Sequence, residues 1–129
     1  MADGEKKRVL LVEDNDDIAG YVKLFLEAME LDAHHAGDAD AALAYLQSNR
    51  PDLILLDIGL PGKSGWQLLE LIKERVTRDK IHVIVVTAFT DPANRLVGKL
   101  QHVDAYLNKP YEFAQLKKVV GEVLGTGTT

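Results

Sequence analysis

The sequence predicts an α/β fold in which a parallel sheet is covered by helices on both faces. Three observations carry this. Short unbroken apolar runs recur along the chain, as suits strands buried on both sides. Between them lie stretches with apolar residues at helical spacing, most opened by an Asn, Asp or Ser in the capping position. The chain has 129 residues, enough for one domain with a core of its own.

Val9–Val12 is the first strand. Ile18, Val22, Phe25, Leu26 and Met29 mark one stripe of the first helix, capped by Asn15 or Asp16. Ala33–Ala36 is a weaker, edge-type strand followed by Gly37 as a turn residue, and Asp38 caps an Ala-rich helix running through Leu46. Leu53–Leu56 is the third strand. Ser64 caps a third helix with Leu68, Leu69, Ile72 and Val76 inward. Val83–Val86 is the fourth strand. Asp91-Pro92 places a cap and a first-turn proline ahead of a fourth helix carrying Leu96, Val97 and Leu100. Gly98 weakens that helix by roughly 1 kcal/mol. Ala105–Leu107 is a second edge strand, and Phe113, Leu116, Val120, Val123 and Leu124 mark the last helix.

Five strand–helix repeats imply right-handed crossovers. Their number and length suit a five-stranded parallel sheet of order 2-1-3-4-5, the flavodoxin-like (βα)5 three-layer sandwich, better than an eight-stranded barrel. The expected organisation is an N-terminal extension over 1–7, a domain over 8–124, and a flexible tail or linker stub over 125–129.

Composition narrows the function. There is no Cys, so disulfides, thiol nucleophiles and zinc–thiolate sites are excluded. This fits a reducing, cytoplasmic setting. The formal charge of -5 argues against direct nucleic-acid binding, which depends on clustered Lys and Arg. The run Val9–Val12 is too short for a signal peptide or a membrane span.

Ligands of open α/β sheets bind beyond the carboxyl ends of the strands. There the sequence offers Glu13 and Asp14 after strand 1, Asp57 after strand 3, Thr87 at the end of strand 4, and Asn108, Lys109 and Pro110 after strand 5. Each alone suits a solvated loop or a helix cap. Strands 1 and 3 are neighbours in the predicted order, however, so three carboxylates converge. Like charges about 4 Å apart at an effective dielectric near 20 repel by about 4 kcal/mol. A divalent cation or the Lys109 ammonium would offset this, and Mg²⁺ typically takes one or two carboxylates, waters and a phosphate oxygen.

Residues 57–64, DIGLPGKS, imitate a phosphate-binding loop. The motif needs Gly where Asp57 stands, and Pro61 lacks the N–H such a cradle uses. Gly62 and Gly65 read as loop-shaping residues and Lys63 as solvated. His34 and His35, adjacent on a strand, point to opposite faces and so make no metal pair. Trp66 reads as packing.

The set VEDN at 12–15, LLDIGLPGKSG at 55–65, VTA at 86–88 and AYLNKP at 105–110 resembles the receiver domain of bacterial response regulators, the CheY-like family. The resemblance covers roughly residues 7–124. It implies that Asp57 is the phosphoacceptor. Glu13, Asp14, Asp57 and the backbone carbonyl of Gly59 would hold Mg²⁺, with Mn²⁺ as a substitute. Thr87, Ala88 and Lys109 would bind the phosphoryl group, with Tyr106 as the aromatic switch and a cis bond before Pro110. It implies a histidine kinase or phosphotransfer protein as donor, or a small donor such as acetyl phosphate. The output would be a partner or effector domain meeting the face of the fourth helix, fifth strand and fifth helix. The chain would be a monomer or a phosphorylation-dependent dimer, free-standing or part of a longer regulator or hybrid kinase. It would catalyse only its own phosphorylation and dephosphorylation.

Two departures stand out. His102-Val103-Asp104-Ala105 replaces the family's Gly-Ala-Asp-Asp, which implies a different turn into strand 5. Phe89, two residues after Thr87, is bulky and is expected to restrict water's access to an acyl phosphate. Two other classes compete. An aspartyl-phosphate phosphatase commonly carries an acid two residues after its nucleophile, where this chain has Gly59. A flavin carrier would meet an acidic cluster that repels the flavin phosphate.

Overall fold

A computed structural model describes residues 6–59, 64–87 and 103–125. The predicted helix opening at Asp91-Pro92, the stretch Leu60–Lys63, Ala88, Phe89 and the end of the tail lie outside the described residues. The elements are β1 (Arg8–Val12), α1 (Asp16–Ala28), β2 (Asp32–Ala36), α2 (Ala39–Ser48), β3 (Leu53–Asp57), α3 (Gly65–Asp79), β4 (His82–Thr87), β5 (Ala105–Asn108) and α4 (Phe113–Leu124). All strands are parallel, in the order β2-β1-β3-β4-β5.

Side-chain alternation divides each apolar strand between two cores. Val9, Leu11, Leu53, Leu55, Ile84, Val86 and Leu107 pack with Ala19, Val22 and Leu26 of α1 and Leu116 and Val120 of α4. Leu10, Val12, Ile54, Leu56, Val83 and Val85 pack on the opposite face with Ala42 and Leu46 of α2 and Leu68, Leu69 and Ile72 of α3. That is why the central strands read as unbroken apolar runs. Trp66 packs against the second core.

The helices begin where the sequence caps them. The Asn15 carboxamide oxygen accepts from the Ile18 N–H at 3.0 Å and the Asp38 carboxylate from the Ala41 N–H at 2.8 Å. Ser64 and Gln67 form a reciprocal capping box. Strands outrun their apolar runs because backbone pairing continues into flanking polar residues: Arg8, Asp32, Asp57, His82, Thr87 and Asn108 all pair. One expectation needs correction. Ile18 is 38% exposed, because the first turn of α1 overhangs the end of the sheet rather than its face.

Near the start of β3, Arg75 of α3 closes the end of α2. Its Nη2 donates to the Asn49 carbonyl at 2.6 Å and its Nη1 to the Leu46 carbonyl, while Nε donates to Asp79 Oδ2 at 2.8 Å. A cation over a helix's last carbonyls satisfies orphan acceptors and opposes the helix dipole. Hydrogen bonds from Arg78 and then Arg75 hold the Asp79 carboxyl down, from the usual 3.8 to about 2.

Replacing Arg75 by Ala is expected to lower stability by about 2 kcal/mol in urea unfolding at neutral pH, the scale of hydrogen bonds to charged groups. Asp79 gives a pH signature. Its folded pKa is depressed, so the unfolded chain binds its proton first as pH falls. Its contribution is complete above the usual value near 3.8 and lost toward about 2. In acid unfolding, Asp79→Asn should flatten the fall of stability across that window; an unchanged slope would remove the assignment.

Candidate functional site

The register decides which polar groups meet. β1 and β3 lie side by side with Val12 opposite Leu56, so the next residues, Glu13 and Asp57, emerge together. Glu13 follows Leu11, Asp57 follows Leu55 and Lys109 follows Leu107 at a spacing of two. All three therefore continue the file of side chains on the α1/α4 face. Lys109 Nζ donates to Asp57 Oδ2 at 2.6 Å and to Glu13 Oε1 at 3.4 Å. One carboxylate oxygen each from Glu13, Asp14 and Asp57 lie within 4.8 Å of one another. Glu13 and Asp57 are buried and Asp14 is exposed. These residues line an open cleft of about 320 Å³ with Asn15, Ile18, Ile58, Gly59, Thr87 and Lys109.

The two oxygens of Asp57 are distinguished. Oδ2 faces Lys109, whereas Oδ1 accepts from the Gly59 N–H at 2.8 Å. A Cβ on Gly59 would stand 3.5 Å from Oδ1, an ordinary contact. Gly59 has no side chain and so brings no proton donor to the position where an aspartyl-phosphate phosphatase commonly carries its acid. Gly65 docks the start of α3 under the site. Its N–H donates to the Ile58 carbonyl at 3.1 Å, and a Cβ there would come within 2.5 Å of the Ile58 Cα.

Thr87 is buried at the end of β4, opposite Asn108. Its carbonyl accepts from the Lys109 N–H at 2.8 Å, so the strand bearing the hydroxyl also anchors the ammonium. Thr87 lies two residues beyond Val85, whose partner in register is Tyr106. Both side chains thus belong to the α2/α3 face, where Tyr106 packs partly buried against the core. The Lys109–Pro110 peptide is cis. Ala88 lies outside the described residues.

The electrostatics are those of crowded charge. Burial pushes the Glu13 carboxyl above its usual 4.5, helped by the Asp57 charge and opposed by the Asn15 N–H and Lys109. Partial burial lowers the Lys109 ammonium, but the Asp57 and Glu13 partners outweigh it and leave it above 10.5. Tyr111 is pushed up to about 12 by burial and then by the charges of Glu13 and Asp57.

The donor set fits a hard divalent cation: several carboxylate oxygens and open space for water, with no soft ligand among the described residues. Sequence reasoning missed two residues. Tyr111, beside Pro110, lines an apolar groove with Ile18, Val22 and Phe25; an aromatic following a charged strand end was the available signal. His35, whose Nε2 lies 2.7 Å from the Glu13 carbonyl oxygen, reads in the sequence only as one of a histidine pair.

Among known proteins, residues 9–121 match the family described as the response regulator receiver domain. The phosphate regulon transcriptional regulatory protein PhoB of Klebsiella pneumoniae is 40% identical over 111 residues, 85% of this chain and 48% of that protein. The sensory transduction protein RegX3 of Mycolicibacterium smegmatis is 34% identical over 119 residues, 92% of this chain and 51% of that protein. The chain spans about half the length of these curated relatives. Among solved structures, the CheY-like response regulator receiver domain protein of Methanospirillum hungatei JF-1 superposes with a TM-score of 0.87 at 30% identity. That match covers 95% of this chain and 96% of the other.

Two substitutions should act in opposite directions when no divalent cation is present. Lys109→Met strips the ammonium from two buried carboxylates. It should cost about 2 kcal/mol, less than the ~3–5 kcal/mol of a fully buried pair because the ammonium is partly exposed. Glu13→Gln should instead stabilise, because the raised Glu13 pKa means the fold favours the neutral form. That gain should be present at neutral pH and vanish as pH falls below the usual carboxylate range, where Glu13 is protonated in both states. Urea midpoints across pH check both signs.

Proposed function

The chain belongs to the response regulator receiver domain family, and from that membership we propose that it is a phosphorylation-controlled signalling switch with Asp57 as phosphoacceptor. The observation that carries this reading is the Lys109 ammonium 2.6 Å from Asp57 Oδ2 amid carboxylates within 4.8 Å of each other. Such a site holds a nucleophile and a cation ready for added negative charge.

An Asp57 carboxylate oxygen attacks phosphorus in line, forming the O–P bond as the donor's P–N or P–O bond breaks. The donor's leaving group departs with the electron pair and takes up a proton. Glu13, Asp14, Asp57 and the Gly59 carbonyl would hold Mg²⁺, or Mn²⁺ in its place. Mg²⁺, when bound, supplies positive charge to the transferring phosphoryl oxygens. Lys109 would add its own positive charge there and lose little by leaving Asp57, because the new phosphoryl oxygens would accept its hydrogen bonds. The Gly59 N–H stays on Oδ1 and keeps the carboxylate oriented.

The phosphoryl donor is a histidine kinase or phosphotransfer protein, with acetyl phosphate as a small substitute. Thr87 then carries the signal. A hydrogen bond from its hydroxyl to the phosphoryl group, present only after transfer, contributes about 1.5–3 kcal/mol and shifts a two-state equilibrium roughly 10- to 150-fold. Tyr106 shares the sheet face with Thr87 and turns inward in response. The output is an effector domain or partner protein that meets the surface around β5 and α4. The relatives' names, a transcriptional regulatory protein and a sensory transduction protein, and this chain's half-length coverage of them, support a receiver that acts beside an effector. No described helix is long and apolar enough to cross a membrane, and a cytoplasmic setting suits this role.

Incubation with acetyl phosphate or phosphoramidate and Mg²⁺ should add one phosphoryl group by intact mass, and chelation or Asp57→Asn should abolish the gain. No gain with any donor would overturn the reading. Thr87→Ala should still gain the phosphoryl group while losing the accompanying NMR shifts along β5; unchanged shifts would remove Thr87 from the switch.

A further inference from the structure

We propose that His35 is a positioning residue for the acidic pair. Its Nε2–H holds the Glu13–Asp14 peptide in the orientation that keeps both carboxylates beside Asp57. The inference rests on reading those carboxylates as a cation site.

Alternation along β2 separates the two adjacent histidines. His34 stacks on Tyr45 of α2, ring centroids 4.4 Å apart and planes 22° from parallel. His35 therefore faces the other way, paired in register with Leu11. Just beyond, the Glu13 N–H donates to the Ala36 carbonyl at 3.1 Å, the last step of β1–β2 pairing. β2 ends at Ala36, and Asp38 already caps α2. The ladder has stopped where the Glu13 carbonyl still needs a donor. The His35 ring supplies one, its Nε2 2.7 Å from that oxygen. A carbonyl can only accept, so Nε2 carries the hydrogen, which fixes the tautomer of the neutral ring.

Glu13 is thereby held at four points. Its N–H is on Ala36 and its carbonyl on His35, while its carboxylate accepts from the Asn15 N–H at 3.1 Å and from Lys109 at 3.4 Å. The His35 bond differs from the others in acting on the peptide that links Glu13 to Asp14. Asp14 is exposed, and repulsion from its two neighbours favours turning it into solvent. Restraining the preceding peptide plane limits that escape.

Isothermal titration with Mg²⁺ alone tests this on wild type, His35→Leu, His35→Ala and His35→Gln. Leu and Ala both lack the donor but differ in bulk, so a folding effect of either is separated from loss of the bond. Each should weaken Mg²⁺ about 10-fold, the lower end of what loss of an orienting contact around a metal costs. Gln presents an N–H at similar reach and should recover most of that roughly 10-fold loss. Equal affinity in wild type and both donor-less variants would overturn the inference alone, as would a Gln variant as weak as they are. No Mg²⁺ uptake by wild type would overturn the cation reading and the inference with it. Nitrogen NMR of the ring gives an independent readout: a neutral His35 protonated at Nδ1 rather than Nε2 would also overturn it.

Discussion

Everything at the working end of this molecule depends on forcing like charges together. Glu13 and Asp57 are placed side by side because β1 and β3 are neighbours, with Val12 and Leu56 paired. At about 4 Å and an effective dielectric near 20, such a pair repels by about 4 kcal/mol. The sheet sustains this because the same strands bury Leu10, Leu11, Ile54, Leu55 and Leu56 almost completely. Full burial of each such side chain contributes roughly 1.5–3 kcal/mol. A rigid apolar sheet thus keeps a charged cluster from relaxing.

The alternation that divides the core also divides the site. Glu13, Asp57 and Lys109 continue the file on the α1/α4 face, while Thr87 and Tyr106 lie on the α2/α3 face. Charge is gathered on the first file, and Thr87, at the end of the second, lines the same cleft. The two files are joined through the end of β4, whose Thr87 carbonyl anchors the Lys109 N–H. In the proposed switch, a change in charge at Asp57 would reach β4 and β5 at this point.

The strand order, the caps at Asn15, Asp38 and Ser64, and the convergence of Glu13, Asp14, Asp57 and Lys109 were all legible in the sequence. Each follows from local chemistry or from parallel topology: period-two burial, short polar caps, and carboxyl-end placement of ligands. What was not legible depends on partners far apart in the chain. Ile18 fits the helical stripe by spacing, yet it hangs over the sheet's end because α1 begins beyond the last strand residue. His35 is unremarkable in the sequence; it matters because the β1–β2 ladder ends one step early and leaves the Glu13 carbonyl to be satisfied. Tyr111 carries a pKa raised first by burial and then by the charges of Glu13 and Asp57, which are distant in the chain, and no local pattern encodes that.

The proposed switch requires a divalent cation at the meeting point of β1 and β3. Substoichiometric Mn²⁺ added to isotope-labelled protein measures this most directly, because its unpaired electrons broaden nearby amide signals. Signals from residues 13–15 and 57–59 should disappear first, while those of Arg8, Asp52 and His82 at the far ends of the strands persist. Broadening centred instead on Asp16 and Asp17 or on Asp38 and Asp40, or none before the whole spectrum fades, would contradict the account.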